Sequence, residues 1–287
     1  MEKVASAPGK RVLLTGSAGF IGKVTAECLT RNGYTVVPFD IMNADIEDIR
    51  NPKYLEPLKY DSVIHLAAVS STPWARHNPQ HAFDVNGLGT WNVFRDAQKK
   101  GVQKIIYAST SRLKQGVTEN PYIMSKAMTE AVANEFRRDM VVLGLRFDSV
   151  YGPANPLKTH SVNVLNQIID SAMTGKEVQI FGDGWQERDF IFVEDVAKTL
   201  TDSLALTQTQ GIREVGSGYG FPLKGVINTV EYITKRKVNV VLTGTYPSDY
   251  MMKQKAETPF LTCQATPLTE GVLRCMQWYS RPGSTQG

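Results

Sequence analysis

Five short apolar runs punctuate the first half of the chain. They are Arg11-Val12-Leu13-Leu14-Thr15, Thr35-Val36-Val37-Pro38-Phe39, Ser62-Val63-Ile64-His65-Leu66, Lys104-Ile105-Ile106-Tyr107 and Val141-Val142-Leu143-Gly144-Leu145. None alternates apolar with polar residues, which predicts strands covered on both faces. Residues 21–30, 83–98 and 122–136 carry helical spacing between them. Strands separated by helices imply parallel crossovers, so the pattern predicts an α/β fold with a doubly wound parallel sheet. After Tyr151 the rhythm loosens, with Pro153, Asn155, Pro156 and a Gly182-Asp183-Gly184 turn. Helices are expected at 161–173 and 193–206, and a strand at 177–181. Thr266 and Pro267 read as the N-cap and first residue of a last helix reaching Tyr279. Residues 1–150 are thus expected to form the sheet domain and 151–287 mainly a smaller C-terminal lobe, with about 191–230 returning to the sheet. No internal repeat is visible, and residues 280–287 are expected to fray.

Composition narrows the function classes. The 287 residues are 42% hydrophobic and 21% charged, within the globular range. No run approaches the ~20 apolar residues that a bilayer span needs, and no targeting segment is read. Thirty-two basic against twenty-eight acidic residues leave +4, and the densest basic run is Lys235-Arg236-Lys237. Scattered charge of this size predicts no nucleic-acid surface. Cys28, Cys263 and Cys275 are far apart and odd in number, which fits a reducing, cytoplasmic setting and neither a disulfide framework nor a cysteine zinc site. The four histidines lack metal-ligand spacing, so no metal is expected.

The chemistry begins where the first strand meets Gly16-Ser17-Ala18-Gly19-Phe20-Ile21-Gly22 and then a helix. A pyrophosphate is stabilised at such a turn by free backbone N–H groups and the positive end of the helix dipole. Side chains at Gly16 or Gly19 would obstruct its approach, and Gly22 lets helix and strand pack closely. Asp40 ends the second strand, 18 residues beyond Gly22. Its carboxylate is placed to accept from both hydroxyls of an adenosine ribose. A 2′-phosphate there would meet a like charge costing on the order of 4 kcal/mol at ~4 Å and an effective dielectric of ~20, which favours NAD over NADP.

Tyr122 and Lys126 lie four residues apart on a predicted helix and share a face. A free phenol with pKa near ~10 is about 0.1% ionised at neutral pH. A neighbouring ammonium and an oxidised nicotinamide are expected to stabilise the phenolate and make Tyr122 a base for an alcohol or sugar hydroxyl. The strand end Tyr107-Ala108-Ser109-Thr110 brings a hydroxyl to the same sheet edge. His65 reads as a satisfied core histidine beneath the cofactor.

Taken together, these motifs resemble the extended short-chain dehydrogenase/reductase family, in its NAD-dependent nucleotide-sugar epimerase/dehydratase branch, over nearly the whole chain. Residues 15–22 are similar to its Rossmann fingerprint, Asp45-Ile46 to its adenine-contacting pair, and Ile64-His65-Leu66-Ala67-Ala68 to the strand beneath the cofactor. Val85-Asn86-Gly87 with Gly89-Thr90 and Asn92 resembles the next helix, and Leu145 to Pro153 the domain junction. Gly182-Asp183-Gly184, Arg188-Asp189-Phe190 and Val193-Glu194-Asp195-Val196-Ala197 resemble the sugar-nucleotide lobe. The resemblance implies that Tyr122 takes a hydroxyl proton, that Thr110 hydrogen-bonds the reacting oxygen, and that Lys126 holds the nicotinamide ribose and acidifies the tyrosine. It implies cofactor contacts from Gly16, Gly19, Phe20, Ile21, Gly22, Asp40, Asp45, Ile46, Leu66, Ala67, Ala68 and Asn86. Substrate contacts are implied for Thr110, Ser149, Asn163, Gln179, Phe181 and Arg188, the last on the diphosphate. It also implies a homodimer packed through 91–98 and 122–136.

Some positions depart from that pattern. Only residues 111 to 121 separate Thr110 from Tyr122, with Lys114-Gln115 where relatives carry Tyr-Gly, so the pocket is either shallower or closed by another loop. Ser111-Arg112 stands where 4,6-dehydratases keep an acidic pair; a guanidinium cannot act as that acid-base. Arg112 is either a contact for an anionic substituent or a surface arginine. Ser149 replaces a substrate-binding asparagine. The expectation is an NAD-dependent epimerase of a nucleotide sugar, acting at C4 through a transient ketone. The alternatives are a 4-keto reductase or sugar dehydrogenase, then a 4,6-dehydratase, then a non-catalytic NAD-binding protein.

Overall fold

A computed structural model describes residues 10–42, 48–116, 119–153, 163–247 and 252–281. The first half runs β1 (Arg11–Thr15), α1 (Phe20–Arg31), β2 (Thr35–Phe39), β3 (Ser62–His65), α2 (Thr72–His77) and α3 (Pro79–Phe83). A π turn (Asp84–Gly89) leads into α4 (Thr90–Lys99), β4 (Lys104–Thr110), α5 (Pro121–Glu135) and β5 (Val141–Phe147). Next come β6 (Ser149–Tyr151), α6 (Val164–Thr174), β7 (Val178–Ile180), β8 (Glu187–Arg188), β9 (Phe190–Phe192) and α7 (Val193–Asp202). The chain continues through β10 (Gly211–Val215), β11 (Phe221–Pro222), α8 (Leu223–Thr234), β12 (Val240–Leu242), β13 (Lys253–Gln254) and α9 (Leu268–Tyr279).

Six strands form one parallel sheet in the order β10-β5-β4-β3-β1-β2. Its apolar runs do not alternate because each strand is covered twice. Leu13, Ile105, Tyr107 and Val142 point into one cluster, whereas Val12, Leu14, Ile106 and Leu143 point into the other. The second cluster is sealed by α7, which packs on α1. The sheet thus has the Rossmann-like, helix-flanked form expected from the runs, and β10 lies on β5 at its edge.

A separate cluster holds the smaller C-terminal elements together, with Tyr151, Leu165, Ile168, Phe190, Phe192 and Val272 at its centre. Two local readings are corrected. The stretch 83–98 is not one α-helix, because its first turn is the π turn. There a Cβ added to Gly87 or Gly89 would lie 2.6 Å from the Met128 or Ile49 side chain, so the absence of side chains lets these neighbours pack against the turn. Thr266 does not cap the last helix: its N–H and hydroxyl both donate to Asp195, at 2.7 and 2.9 Å, and the helix begins at Leu268 after Pro267.

Candidate active site

The glycine turn is built by backbone proximity. Gly16 has φ +72°, and a Cβ there would lie 2.6 Å from the Ala67 nitrogen, so only glycine lets β1 turn beside the end of β3. Gly19 is the N-cap of α1 and donates its N–H to the Gly16 carbonyl at 3.1 Å. A Cβ on Gly22 would sit 2.0 Å from that same carbonyl. The first turn of α1, from Phe20 and Ile21, has no side-chain cap and no acidic residue. Its first N–H groups thus have no side-chain cap, which suits a pyrophosphate.

Asp40 reaches this turn from β2. Its carboxylate accepts from the Ala18 N–H and the Met42 N–H, both at 2.9 Å. It therefore braces the glycine turn as well as standing where a ribose is expected. Asp45 and Ile46 lie outside the described residues. Leu66 and Ala67 continue β3 under the turn, the Leu66 N–H bonding the Thr15 carbonyl at 3.1 Å and the Ala67 N–H the Thr15 hydroxyl at 3.2 Å. Ala68 is half-buried beside them. His65 is buried between the Thr15 and Thr90 hydroxyls at 2.7 and 3.1 Å, and burial pushes its imidazole down to about 3. It is the neutral core histidine read from the sequence.

Asn86 is engaged within the protein. Both of its amide hydrogens are spent inside the protein, on the Val69 carbonyl at 3.0 Å and the Ser125 hydroxyl at 2.8 Å, while its oxygen accepts from the Val69 N–H at 2.8 Å. It clamps the loop after β3 to α5.

The expected chemical residues converge at the carboxyl end of β4. The Thr110 hydroxyl acts on the Tyr122 phenol and lowers it, and the Tyr122 ring packs against the cluster of Val69, Ala75 and Ala82. Lys126 is buried and donates from Nζ to the Ala108 carbonyl at 2.6 Å. One turn further along α5, Glu130 is gripped by Arg146 at 2.7 Å and by the Ser109 hydroxyl at 2.6 Å, which fixes the helix to β4 and β5.

Burial raises the Tyr122 phenol above its ordinary value, against the Thr110 hydroxyl and the charge of Arg112, which lower it. Burial pushes the Lys126 ammonium down to about 8, against the pull of Glu130.

The short segment after Thr110 is a 3-10 turn (Ser111–Gln115), and another loop closes over it. Gln254 on β13 donates to the Ser111 hydroxyl at 2.7 Å, and Lys114 bonds Glu214 and the Lys255 carbonyl at 3.0 and 2.8 Å. Arg112 is half-buried and donates from Nη1 to the Thr72 hydroxyl at 2.7 Å.

Among the expected substrate residues, Ser149 opens β6 with its N–H on the Asp189 carbonyl at 2.9 Å. Asn163 caps α6 through Leu165 and ties it to the Val150 carbonyl at 3.1 Å, so its side chain is occupied structurally. Gln179 and Phe181 are exposed. Arg188 is buried, with Nη1 on the Glu187 carbonyl at 2.7 Å. Among the described residues no group of histidine, cysteine, aspartate or glutamate is arranged to hold a metal, and no helix is long and apolar enough to cross a membrane.

Asp148 was not singled out from the sequence. The signal was a charged residue closing an apolar strand. It is 7% exposed, beside Asp189, and neither carboxyl oxygen makes a hydrogen bond of ordinary geometry. Burial and Asp189 lift it to about 7, against Ser111, Gln254 and Lys114. Because the folded value lies above the unfolded one, ionisation costs stability. The penalty is absent below about pH 4, grows as pH rises towards 7 and is constant above that, at most on the order of 4 kcal/mol. Asp148→Asn is therefore expected to stabilise the protein in denaturant melts at about pH 8 and to change little at about pH 4. An equal effect at both would contradict this.

Comparison with known proteins fits this site. The model of the NAD dependent epimerase/dehydratase family matches residues 12–215, and the chain belongs to that family. A Methanocaldococcus jannaschii protein provisionally named a UDP-glucose 4-epimerase is 31% identical over 237 residues, 72% of this chain and 77% of that protein. Human sterol-4-alpha-carboxylate 3-dehydrogenase, decarboxylating, is 30% identical over 224 residues, 68% of this chain and 58% of its own. The fold is shared with Thermotoga maritima UDP-glucose 4-epimerase solved with UDP-glucose, at TM-score 0.83 and 23% identity over 94% of this chain and 98% of that one. The chain is an enzyme of this NAD-dependent nucleotide-sugar family, and its glycine turn, Asp40 and the uncapped start of α1 fit NAD.

Proposed function

We propose that the protein is an NAD-dependent epimerase that inverts C4 of a nucleotide-activated sugar through a transient 4-keto intermediate. The observation that carries this reading is the convergence of Thr110, Tyr122 and Lys126 at the end of the strand neighbouring β3 and the glycine turn. Tyr122 accepts the proton of the sugar hydroxyl and later returns it. Thr110 holds the reacting oxygen, and Lys126, with one donor already fixed on Ala108, has others to offer a ribose. NAD, when bound, supplies reversible two-electron oxidation of the sugar carbon. The buried guanidinium of Arg188 serves the substrate diphosphate, while Ser149, Asn163, Gln179 and Phe181 border the nucleotide and sugar. UDP-glucose and UDP-glucuronate 4-epimerases among the relatives support the reaction.

The proposed assembly is a cytoplasmic homodimer. Leu88, Trp91, Met124 and Met128 are exposed on the π turn, α4 and α5, an apolar face suited to a second copy. The human sterol dehydrogenase favours a second reading, net oxidation of an alcohol with exchange of cofactor. Denaturing the purified protein separates the two. An epimerase is expected to release close to one NAD per chain, whereas an empty protein that consumes added NAD in step with product would establish net oxidation.

A further inference from the structure

The turn that carries Thr110 is held from a distant part of the chain. Thr110 is its N-cap, and its hydroxyl accepts from the Arg112 N–H at 3.3 Å, so the orientation of that hydroxyl follows the path of the turn. Ser111, the first residue of the turn, is fully buried. Its hydroxyl accepts from Gln254 Nε2 at 2.7 Å, across 143 positions of sequence. A second contact, from Lys114 to the Lys255 carbonyl at 2.8 Å, is exposed and lies further along the turn from Thr110.

Gln254 is itself fixed by the backbone around it. β13 runs parallel to β8, with Lys253 opposite Glu187 and Gln254 opposite Arg188. The Glu187 N–H donates to the Met252 carbonyl at 2.7 Å, and the Asp189 N–H to the Gln254 carbonyl at 2.8 Å. Just beyond, the Ala256 N–H donates to Asp189 at 3.1 Å and the Glu257 N–H to Glu214 at 2.7 Å. Lys253 and Lys255 are exposed, whereas Gln254 between them is half-buried and reaches the turn, as strand alternation requires. The strand that carries Arg188 and the turn that carries Thr110 are thus joined through the Gln254 amide.

We propose that Gln254 is a positioning residue for Thr110: its bond to Ser111 sets the hydroxyl that holds the reacting oxygen, in register with the arginine that serves the diphosphate. This deepens the epimerase reading and rests on it. A primary amide suits the task because it donates without titrating. A reacting group misplaced by about 1 Å costs up to about 10²-fold in rate, so a small displacement of the turn is felt in turnover before it is felt in binding.

The test compares Gln254→Met, which keeps the length of the side chain and removes the donor, with Ser111→Ala and with the double variant. Each single change is expected to lower kcat with UDP-glucose or UDP-glucuronic acid about tenfold and to move KM by less than about twofold. The double variant is expected to fall no further than either, because one bond is lost in all three. A loss in Gln254→Met that Ser111→Ala does not share overturns the proposal, since it would mark direct contact of Gln254 with the substrate. Additive losses overturn it too, as does a lower melting temperature with kcat intact, which would mark a structural role. The Thr110 methyl resonance of the NAD-loaded protein gives a reading free of turnover: it is expected to shift in Gln254→Met, and an unmoved resonance overturns the proposal. Gln254→Glu, of similar length and without a donor once ionised, is read in the same way if the Met variant does not fold. Failure to turn over any nucleotide sugar would count against the epimerase reading, while the Thr110 resonance would still decide the role of Gln254.

Discussion

Tyr122→Phe is expected to lower turnover by about 10²- to 10⁴-fold while leaving the fold and bound NAD in place. The substitution removes one oxygen and keeps the ring. That ring packs against the cluster of Val69, Ala75 and Ala82, packing that phenylalanine preserves. Loss of the phenol oxygen costs at most one hydrogen bond, about 1 kcal/mol of stability. Only the proton acceptor is missing. Steady-state rates together with the NAD content of the purified variant check this. A variant that keeps full activity removes Tyr122 from the mechanism, and one that loses NAD makes it a structural residue.

The second large effect is expected at Gly22. A methyl group there would meet the Gly16 carbonyl oxygen at 2.0 Å and the Gly16 carbonyl carbon and Ser17 Cα at 2.9 Å. These are backbone atoms, so no side-chain rotation relieves the overlap. The start of α1 must shift away from the glycine turn, costing roughly 3 kcal/mol, near the top of the overpacking range. The N–H groups that suit a pyrophosphate shift with it. Gly22→Ala should therefore both lower the melting temperature and abolish NAD binding. Gly225→Ala is the contrast: it lies exposed on α8 with nothing near its Cβ position, and alanine favours a helix by about 1 kcal/mol. Unchanged NAD affinity in Gly22→Ala would show that the turn is not the phosphate site.

These two expectations rest on features that differ in how far they can be read from the chain. The sheet was legible because strands covered on both faces must be apolar throughout. Val12, Leu13 and Leu14 signal that directly and end in the two opposing clusters. The glycine turn was legible for a similar reason, since backbone crowding leaves glycine alone at Gly16 and Gly22. The charge around the phenol was not. Four-residue spacing tells which helix face Tyr122 and Lys126 share, but not that the lysine ends on the Ala108 carbonyl. That depends on how closely α5 sits on β4, set by Glu130, Arg146 and Ser109 on three different elements.

Polar side chains near a site were the hardest to assign, because an asparagine or threonine serves the backbone as readily as a ligand. Asn86, Asn163 and Thr266 each spend their hydrogen bonds on local structure or on a partner distant in sequence. The π turn depends on tertiary packing in the same way, with Asn92 bonding the Ile49 and Arg50 carbonyls at 3.0 Å. Lys114-Gln115 marked a missing motif, but the closure by Gln254 and Lys255 depends on a segment about 140 residues away.

The central claim is that a sugar C4 is oxidised and then reduced again with its own hydrogen at a site served by Tyr122. It is tested most directly by giving the NAD-loaded protein UDP-glucose, UDP-glucuronic acid and UDP-N-acetylglucosamine, each carrying deuterium at C4, and following that carbon by NMR. For the sugar that is turned over, the account predicts an inverted product that keeps its deuterium and gains no hydrogen from water. Exchange of the label with solvent, or no inversion of any of the three, would contradict it.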